Sequence, residues 1–286
     1  MPAEINPSQE KERIVEFIRT QIAKYEFEGA VIGISGGIDS AVVGKLLTEA
    51  LGRERVFALI LPERDSSKRT VSDSLLVCRY LGIRYSVKSI SPLVRRLGIY
   101  RTKPPAFIFP RKIQEDYVRA QWQKTSSPYI NDLKSAGGQS NRRNLAYYRT
   151  KNRLRMTILY YEAEQRGYAV AGTINRTEFL IGFYVKWGDD SSDIEPIMHL
   201  YKTQVFELAR EIGLPQRIIE KEPSPDLAPG ITDEFAIGLS YTDLDRILKK
   251  NELSLPLSDE DPELVEKVQK ILAAVPYRKI RNLSLL

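Results

Sequence analysis

The sequence predicts an α/β fold: a doubly wound, mainly parallel sheet with helices on both faces. Three observations carry this. Short, nearly all-apolar runs alternate with amphipathic helical patterns, those runs lack the polar alternation of a half-exposed strand, and the first empties into a glycine-rich turn that opens a helix. Strands apolar along their length are buried on both faces, and strand–helix alternation implies right-handed βαβ crossovers.

From Ser8 to Lys24, Ile14, Val15, Phe17, Ile18 and Ile22 recur between charges, the pattern of an amphipathic helix. Val31-Ile32-Gly33-Ile34 is a buried strand, followed by Ser35-Gly36-Gly37-Ile38-Asp39-Ser40 and a helix beginning near Asp39. Val56 to Leu61 is a second strand, ended by Pro62; Ser66 to Leu81 is a helix stopped by Gly82, and Arg84 to Lys88 is a third strand. Between about Ile99 and Asn144 the periodicity breaks, with Pro104-Pro105, Pro110, Pro128 and Gly137-Gly138 interrupting an aromatic and basic stretch. An insertion of that length is expected to be a lid or a dimer arm within one domain spanning 1–286. A long helix ending near Gln165 then leads into a strand from Tyr168 to Gly172. In such sheets ligands collect at the carboxyl ends of the strands, where the glycine turn and Gly172-Thr173 would both lie.

Composition narrows the function. With 286 residues, 42% of them hydrophobic and 28% charged, the chain fits a soluble globular protein with one large domain. No apolar run approaches the ~20 residues a bilayer span requires, and Met1-Pro2-Ala3-Glu4 shows no charged-then-apolar leader, so a cytoplasmic location is expected. The single Cys78 excludes an internal disulfide and an all-cysteine metal cluster, and reads as a core residue. The single His199 excludes a His-rich zinc site and reads as surface. A net charge of +6 fits anionic small substrates as well as nucleic acid. Arg142, Arg143, Arg149, Lys151, Arg153 and Arg155 read either as a nucleic-acid stripe or as a solvated helix face. The expectation is that Arg153 faces the site and the others face water or a partner.

The glycine turn carries the chemistry. Adjacent Gly36 and Gly37 remove the Cβ atoms that would hold an anion off the backbone and permit positive φ. A helix start behind them adds unpaired N–H groups and a positive dipole end, which suits pyrophosphate. Asp39 would repel that anion unless a divalent cation lay between them, so it reads as a Mg²⁺ ligand. The plain alternative is a turn with Asp39 or Ser40 capping the helix. No Gly-Lys-Ser/Thr closes the turn, which separates it from the Walker pattern.

The Ser-Gly-Gly-x-Asp-Ser turn resembles the pyrophosphate loop of the ATP pyrophosphatases, which share the adenine nucleotide alpha hydrolase-like fold. Further segments follow in order: Gly172 to Glu178, Lys186-Trp187-Gly188-Asp189, Tyr201 to Val205, Lys221 to Leu227, Thr232-Asp233-Glu234 and Leu239-Ser240-Tyr241. With them the chain resembles the ammonia-dependent NAD synthetases from its first helix to Tyr241. The resemblance implies that Gly33, Ile34, Ser35, Gly36, Gly37, Ile38, Asp39 and Ser40 form the ATP loop, joined by Thr173, Lys202 and Ser224. It implies Asp39 and Glu178 as the Mg²⁺ pair, and Asp39, Lys202 and Ser224 as catalytic. Arg153, Lys186 and Asp193 match positions that hold deamido-NAD, with Tyr277 and Arg278 standing where the family has a His-Lys pair. Lys202 would neutralise departing pyrophosphate. Taken singly, Lys202 could be solvent-facing, Glu178 a first-turn acid and Arg153 a surface ion pair.

Where the family commonly reads Gly-Asp-Gly-Gly, this chain has Gly188-Asp189-Asp190-Ser191-Ser192, and Arg149 and Asn152 replace the usual Asn and Ala. These departures bear on the acceptor; none touches the ATP elements. The expected reaction is amidation of deamido-NAD by ammonia through an acyl adenylate, with ATP as co-substrate, in a homodimer that needs neither nucleic acid nor membrane. The chain has no room for a separate glutaminase domain and no obvious Cys-His pair to run one, so free ammonia or ammonia from a partner is the expected nitrogen source. Three rivals stand beside it: a family member adenylating another carboxylate, a tRNA-modifying pyrophosphatase, and a nucleotide-binding module without turnover.

Overall fold

Gly29–Gly33 (β1) pairs on one side with Val56–Ile60 (β2) and on the other with Tyr168–Ala171 (β4). Arg84–Val87 (β3) pairs with β2, every pairing is parallel, and the order is β3-β2-β1-β4. The computed structural model describes residues 5–102, 127–136, 138–224 and 231–281, with residues 112, 113, 116 and 120 between them. Chain order runs one way from β1 to β3 and then jumps to the far side of β1. The crevice between β1 and β4 is therefore a topological switch point, where such sheets bind ligands.

Strand side chains alternate between two layers, as a period of two requires. Ala30 and Ile32 of β1 join the core formed with Pro7–Lys24 (α1), Ile38–Leu51 (α2), Lys68–Leu81 (α3) and Lys202–Glu211 (α8), where Ile18, Val42, Leu46 and Leu208 are fully buried. Val31 faces the other layer with Leu59 and Val170, against Val94 of Ser91–Arg96 (α4) and Met156 and Leu159 of Gln139–Glu164 (α6). Burying a side chain of that size stabilises the fold by about 1.5–3 kcal/mol. β3 lies at the edge and leaves Arg84 and Tyr85 exposed. Cys78 is fully buried in the first core, as expected, and His199 is exposed.

A third cluster is mainly helical. Tyr129 and Leu133 of Pro128–Leu133 (α5) and Ile181 of Arg176–Ile181 (α7) pack with Leu244 and Ile247 of Tyr241–Glu252 (α11) and Val268 and Ile271 of Pro262–Lys279 (α12). Contacts of α8 with α1 and α2 on one side and α11 on the other join this cluster to the sheet. Two short helices, Gln216–Ile219 (α9) and Asp233–Ile237 (α10), complete the described elements after α8. No helix among the described residues is long and apolar enough to cross a membrane.

The basic segment on α6 differs from expectation. Lys151 is only 3% exposed, with Nζ 2.6 Å from Glu63 Oε1 and 3.6 Å from Asp65 Oδ2. Arg149 donates to the Asp132 carbonyl at 2.6 Å and Arg155 to the Leu61 carbonyl at 3.0 Å. Arg142 and Arg143 are exposed. The acidic turn after β2 and the insertion supply partners that helical periodicity does not reveal. Within the insertion, residues 103–111, 114–115, 117–119, 121–126 and 137 lie outside the described residues, whereas α5 is packed into the helical core.

Candidate active site

The β1–α2 turn is cinched by its own serines. Ser35 N donates to Ser40 Oγ at 3.2 Å, Gly37 N to Ser35 Oγ at 3.3 Å, and Ser40 Oγ to the Gly37 carbonyl at 3.1 Å. Gly37 caps α2 without a side-chain hydrogen bond, which leaves the first-turn amides for a ligand. Gly36 has φ +73°, and a Cβ there would fall 2.8 Å from the Thr70 carbonyl and 2.9 Å from both Asp73 Cβ and Ser74 N. Glycine is required on both counts.

From the first turn of α2, Asp39 reaches across the switch point. Its Oδ2 lies 2.5 Å from Lys202 Nζ, and its Oδ1 accepts from Asn175 Nδ2 at 3.0 Å. Asn175 is fully buried and also caps α7, its Oδ1 accepting from Glu178 N at 3.0 Å while Glu178 Oε2 takes Asn175 N at 3.4 Å. One asparagine thus aligns both carboxylates. Glu178 Oε1 completes the group 3.5 Å from Lys202 Nζ.

Lys202 is 1% exposed at the start of α8. Its backbone N–H donates to Thr177 Oγ1 at 2.9 Å, and Thr177 Oγ1 donates to Asp245 Oδ1 at 2.5 Å. Asp245 Oδ2 accepts from Thr203 N at 2.8 Å, fixing where α8 begins. Burial alone would lower the Lys202 ammonium, but Asp39, Glu178 and Asp233 hold it above its ordinary range. Burial pushes the Glu178 carboxyl well up, opposed by Lys202 and reinforced by Asp39.

Three participants escaped the sequence argument. Asp233, 5% exposed, accepts from Tyr241 OH at 2.9 Å through Oδ2, and Tyr241's ring centroid is 5.3 Å from Lys202 Nζ. Lys221 Nζ donates to the Gly36 carbonyl at 2.9 Å and lies 3.0 Å from the buried Asp73. All three sit in segments that the family resemblance picks out, but only tertiary contact aims them at the turn.

Of the remaining nucleotide candidates, Thr173 lies on the β4–α7 loop at the carboxyl end of the sheet. Ser224 Oγ donates to the Ile231 carbonyl at 2.9 Å, at the edge of a segment whose residues 225–230 are not described.

Of the acceptor candidates, the structure brings two together. Arg153 of α6 donates through Nε and Nη2 to the Lys186 carbonyl at 3.1 and 3.0 Å, bringing those two residues together. Asp193 is engaged by the sheet, with Oδ2 accepting from Val170 N at 2.7 Å and Oδ1 from Tyr160 OH at 3.1 Å. Beside it Glu195 accepts from Ser192 Oγ at 2.5 Å and from Ile174 N at 3.1 Å, and burial pushes its carboxyl up to about 8. Burial also pushes Asp189 up to about 6. Asp190 pairs with Arg281 at 2.8 Å, and Arg281 lies 4.8 Å from the Trp187 ring centroid. Arg278 is buried and ion-paired with Asp132, whereas Tyr277 is exposed beside Lys134. The structure therefore joins Arg153 to Lys186 and places Tyr277 and Arg278 on the end of α12.

The sequence matches the NAD synthase family over residues 10–121 and 115–279. The chain belongs to that family. Among NAD synthase relatives, it is 57% identical over 263 residues to the NH(3)-dependent NAD(+) synthetase of Thermotoga neapolitana, covering 92% of this chain and 91% of that protein. To the protein of the same name from Archaeoglobus fulgidus it is 37% identical over 277 residues, covering 95% of this chain and 97% of that one. A solved NMN synthetase from Francisella tularensis superposes with a TM-score of 0.75 at 26% identity, covering 99% of this chain and all of that one. The NH3-dependent NAD synthetase of Campylobacter jejuni, at 24% identity and a TM-score of 0.73, shares the fold, again over 99% of this chain and all of that one.

Proposed function

We propose that this chain amidates deamido-NAD: ATP converts the nicotinate carboxylate to an acyl adenylate, ammonia then displaces AMP, and NAD, AMP and pyrophosphate are released. The observation that carries the reading is the Lys202–Asp39–Glu178 group at the β1/β4 crevice of an NAD synthase fold. A carboxylate lacks a leaving group, so adenylation comes first. No nucleophilic side chain is needed, because orientation and charge stabilisation supply the acceleration.

The Gly33–Ser40 turn would cradle the triphosphate with its open amides, and Lys202 would neutralise the departing pyrophosphate. Thr173 and Ser224 would add hydroxyl contacts from either side. Asp39 and Glu178 fit a hard divalent cation: both offer only oxygen, and both already converge on one cation, the Lys202 ammonium. Among the described residues no cage of three or more acidic, His or Cys ligands is gathered. A pair of carboxylates suits Mg²⁺ whose remaining ligands come from the nucleotide. Mg²⁺ so bound would screen the phosphates from Asp39.

Arg153 and Lys186 would address the anionic groups of deamido-NAD. Asp193, already bonded to β4, would fix the edge of that site, with Tyr277 and Arg278 closing it from α12. A homodimeric, cytoplasmic protein with one domain over 1–286 is part of the same reading. The insertion at 99–144 would be a lid or dimer arm, and the packing of Tyr129 and Leu133 favours a fixed arm at its α5 end.

A second acceptor is worth an arm of the experiment. The similarity to a solved NMN synthetase makes the deamido precursor of NMN the alternative acceptor to test. Pyrophosphate release from ATP and ammonium, measured with deamido-NAD, with deamido-NMN and with neither, tests the proposal. Release together with NAD formation supports it. Absence of NAD at millimolar deamido-NAD overturns the acceptor.

A further inference from the structure

We propose that Asp233 is a positioning residue for this reaction: it takes over the Lys202 ammonium when metal and nucleotide claim Asp39 and Glu178. The inference rests on the reading that Asp39 and Glu178 hold the metal.

Lys202 Nζ occupies the place between Asp39 and Glu178 where a divalent cation would sit, at 2.5 and 3.5 Å from their oxygens. Two cations cannot share those carboxylates at such distances without strong repulsion. The ammonium must therefore move off as the metal arrives. At 1% exposure it has no water to retreat to, and an unpaired buried charge is strongly destabilising. The arriving phosphates are one partner, and a buried protein anion beside them would keep the ammonium oriented as it leaves Asp39.

Asp233 meets that need. It lies in the first turn of α10, 5% exposed, and its charge acts on Lys202. Tyr241 OH donates to Oδ2 at 2.9 Å, whereas Oδ1 is buried with no hydrogen-bond partner among the described residues. Buried carboxylate oxygens are seldom left so. The Tyr241 ring, 5.3 Å from Lys202 Nζ, lines the same space. Asp233 thus has one oxygen held and one free. The exchange costs little because a charged acceptor replaces a charged acceptor, and it leaves the ammonium oriented for the leaving pyrophosphate.

The test combines metal binding with kinetics. Mn²⁺ binding by electron paramagnetic resonance, in the presence of a non-hydrolysable ATP analogue, is compared for the wild-type chain, Asp233→Asn, Asp233→Glu and Tyr241→Phe. Asp233→Asn should weaken Mn²⁺–nucleotide binding about tenfold, because Lys202 then competes for Asp39. It should lower kcat by at least tenfold while leaving the KM for deamido-NAD within about twofold. Asp233→Glu should recover part of both losses, and Tyr241→Phe should show smaller losses of the same kind. Wild-type Mn²⁺–nucleotide affinity in Asp233→Asn overturns the proposal. So does a loss matched by Asp233→Glu, or one spread equally over kcat and the deamido-NAD KM. If Asp233→Asn fails to fold, Tyr241→Phe decides: unchanged metal affinity and kcat overturn the role. Failure of the wild-type chain to make NAD would sink the acceptor reading while leaving the metal-binding comparison intact.

Discussion

Lys202 Nζ lies 2.5 Å from Asp39 Oδ2, although 163 residues separate them in the sequence. The pair bridges the helix after the first strand and α8, the second helix after the last one, and so defines where the two halves of the fold meet. Its burial makes it asymmetric. Asp39 still has a path to ligand, whereas Lys202 has none except through the site.

On the proposed metal assignment, removing the charge of Asp39 or Glu178 should abolish adenylation without unfolding the chain. Asp39→Asn and Glu178→Gln should each lower pyrophosphate release by roughly 10²-fold or more, about 2.7 kcal/mol of transition-state stabilisation. Near-normal rates at saturating Mg²⁺ would dismiss the metal assignment.

Lys202→Met should act on stability as well as rate. It leaves Asp39, Glu178 and Asp233 close together without their common cation, a change that costs about 3–5 kcal/mol for a buried pair. Thermal unfolding should show a large drop, partly reversed by Mg²⁺ with an ATP analogue. A melting temperature equal to wild type would mean that the ammonium is not what holds those acids.

At Gly36 the backbone sits at φ +73° and a Cβ would press into α3, so Gly36→Ala should destabilise by about 1–3 kcal/mol and disorder the turn. Gly37→Ala would meet only Ser35 Oγ at 3.3 Å. It should fold normally and lose ATP affinity. Denaturant titration and calorimetry separate the two effects; equal stability of both variants would contradict this account.

On the acceptor side, Lys186→Ala should raise the KM for deamido-NAD about tenfold, since charge-assisted contacts are worth about 1.5–3 kcal/mol. ATP affinity should change much less. A shift confined to ATP would move Lys186 out of the acceptor site.

The Glu195 carboxyl predicts a pH signature. Burial raises its folded value to about 8 from 4.5, so the folded chain binds this proton more tightly than the unfolded one. Its contribution to stability is full below about pH 4.5 and is lost as pH rises toward 8. Glu195→Gln, which mimics the protonated form, should flatten the fall in melting temperature over that window. An unchanged slope would remove Glu195 as its source.

The sheet was largely legible in the sequence because its strands announce themselves: Val31 to Ile34, Val56 to Leu61 and Tyr168 to Gly172 are apolar throughout, and Pro62 and Gly82 mark where elements stop. The glycine turn and the helix opening at Asp39 were legible too, because adjacent glycines after a buried strand have few other uses. Long-range pairing was not. Asn175 reads locally as a helix cap and gives no sign that its other atom holds Asp39. Lys151 reads as a solvated lysine until Glu63 is folded over it, and nothing local to Arg278 announces its ion pair with Asp132. In each case the partner lies more than 80 positions away, beyond the reach of any periodicity.

The strand order has a consequence for how the chain comes to be folded. β1, β2 and β3 are neighbours both in sequence and in the sheet, so they can assemble as soon as they are synthesised. β4 returns to β1 from residue 168, closing a long loop whose entropy must be met before its pairing contributes. Thr173, Glu178 and Lys202 all follow that strand. The amino-terminal half of the nascent chain thus presents the glycine turn without Lys202 or the loop after β4, and the crevice comes into being only when the late strand docks.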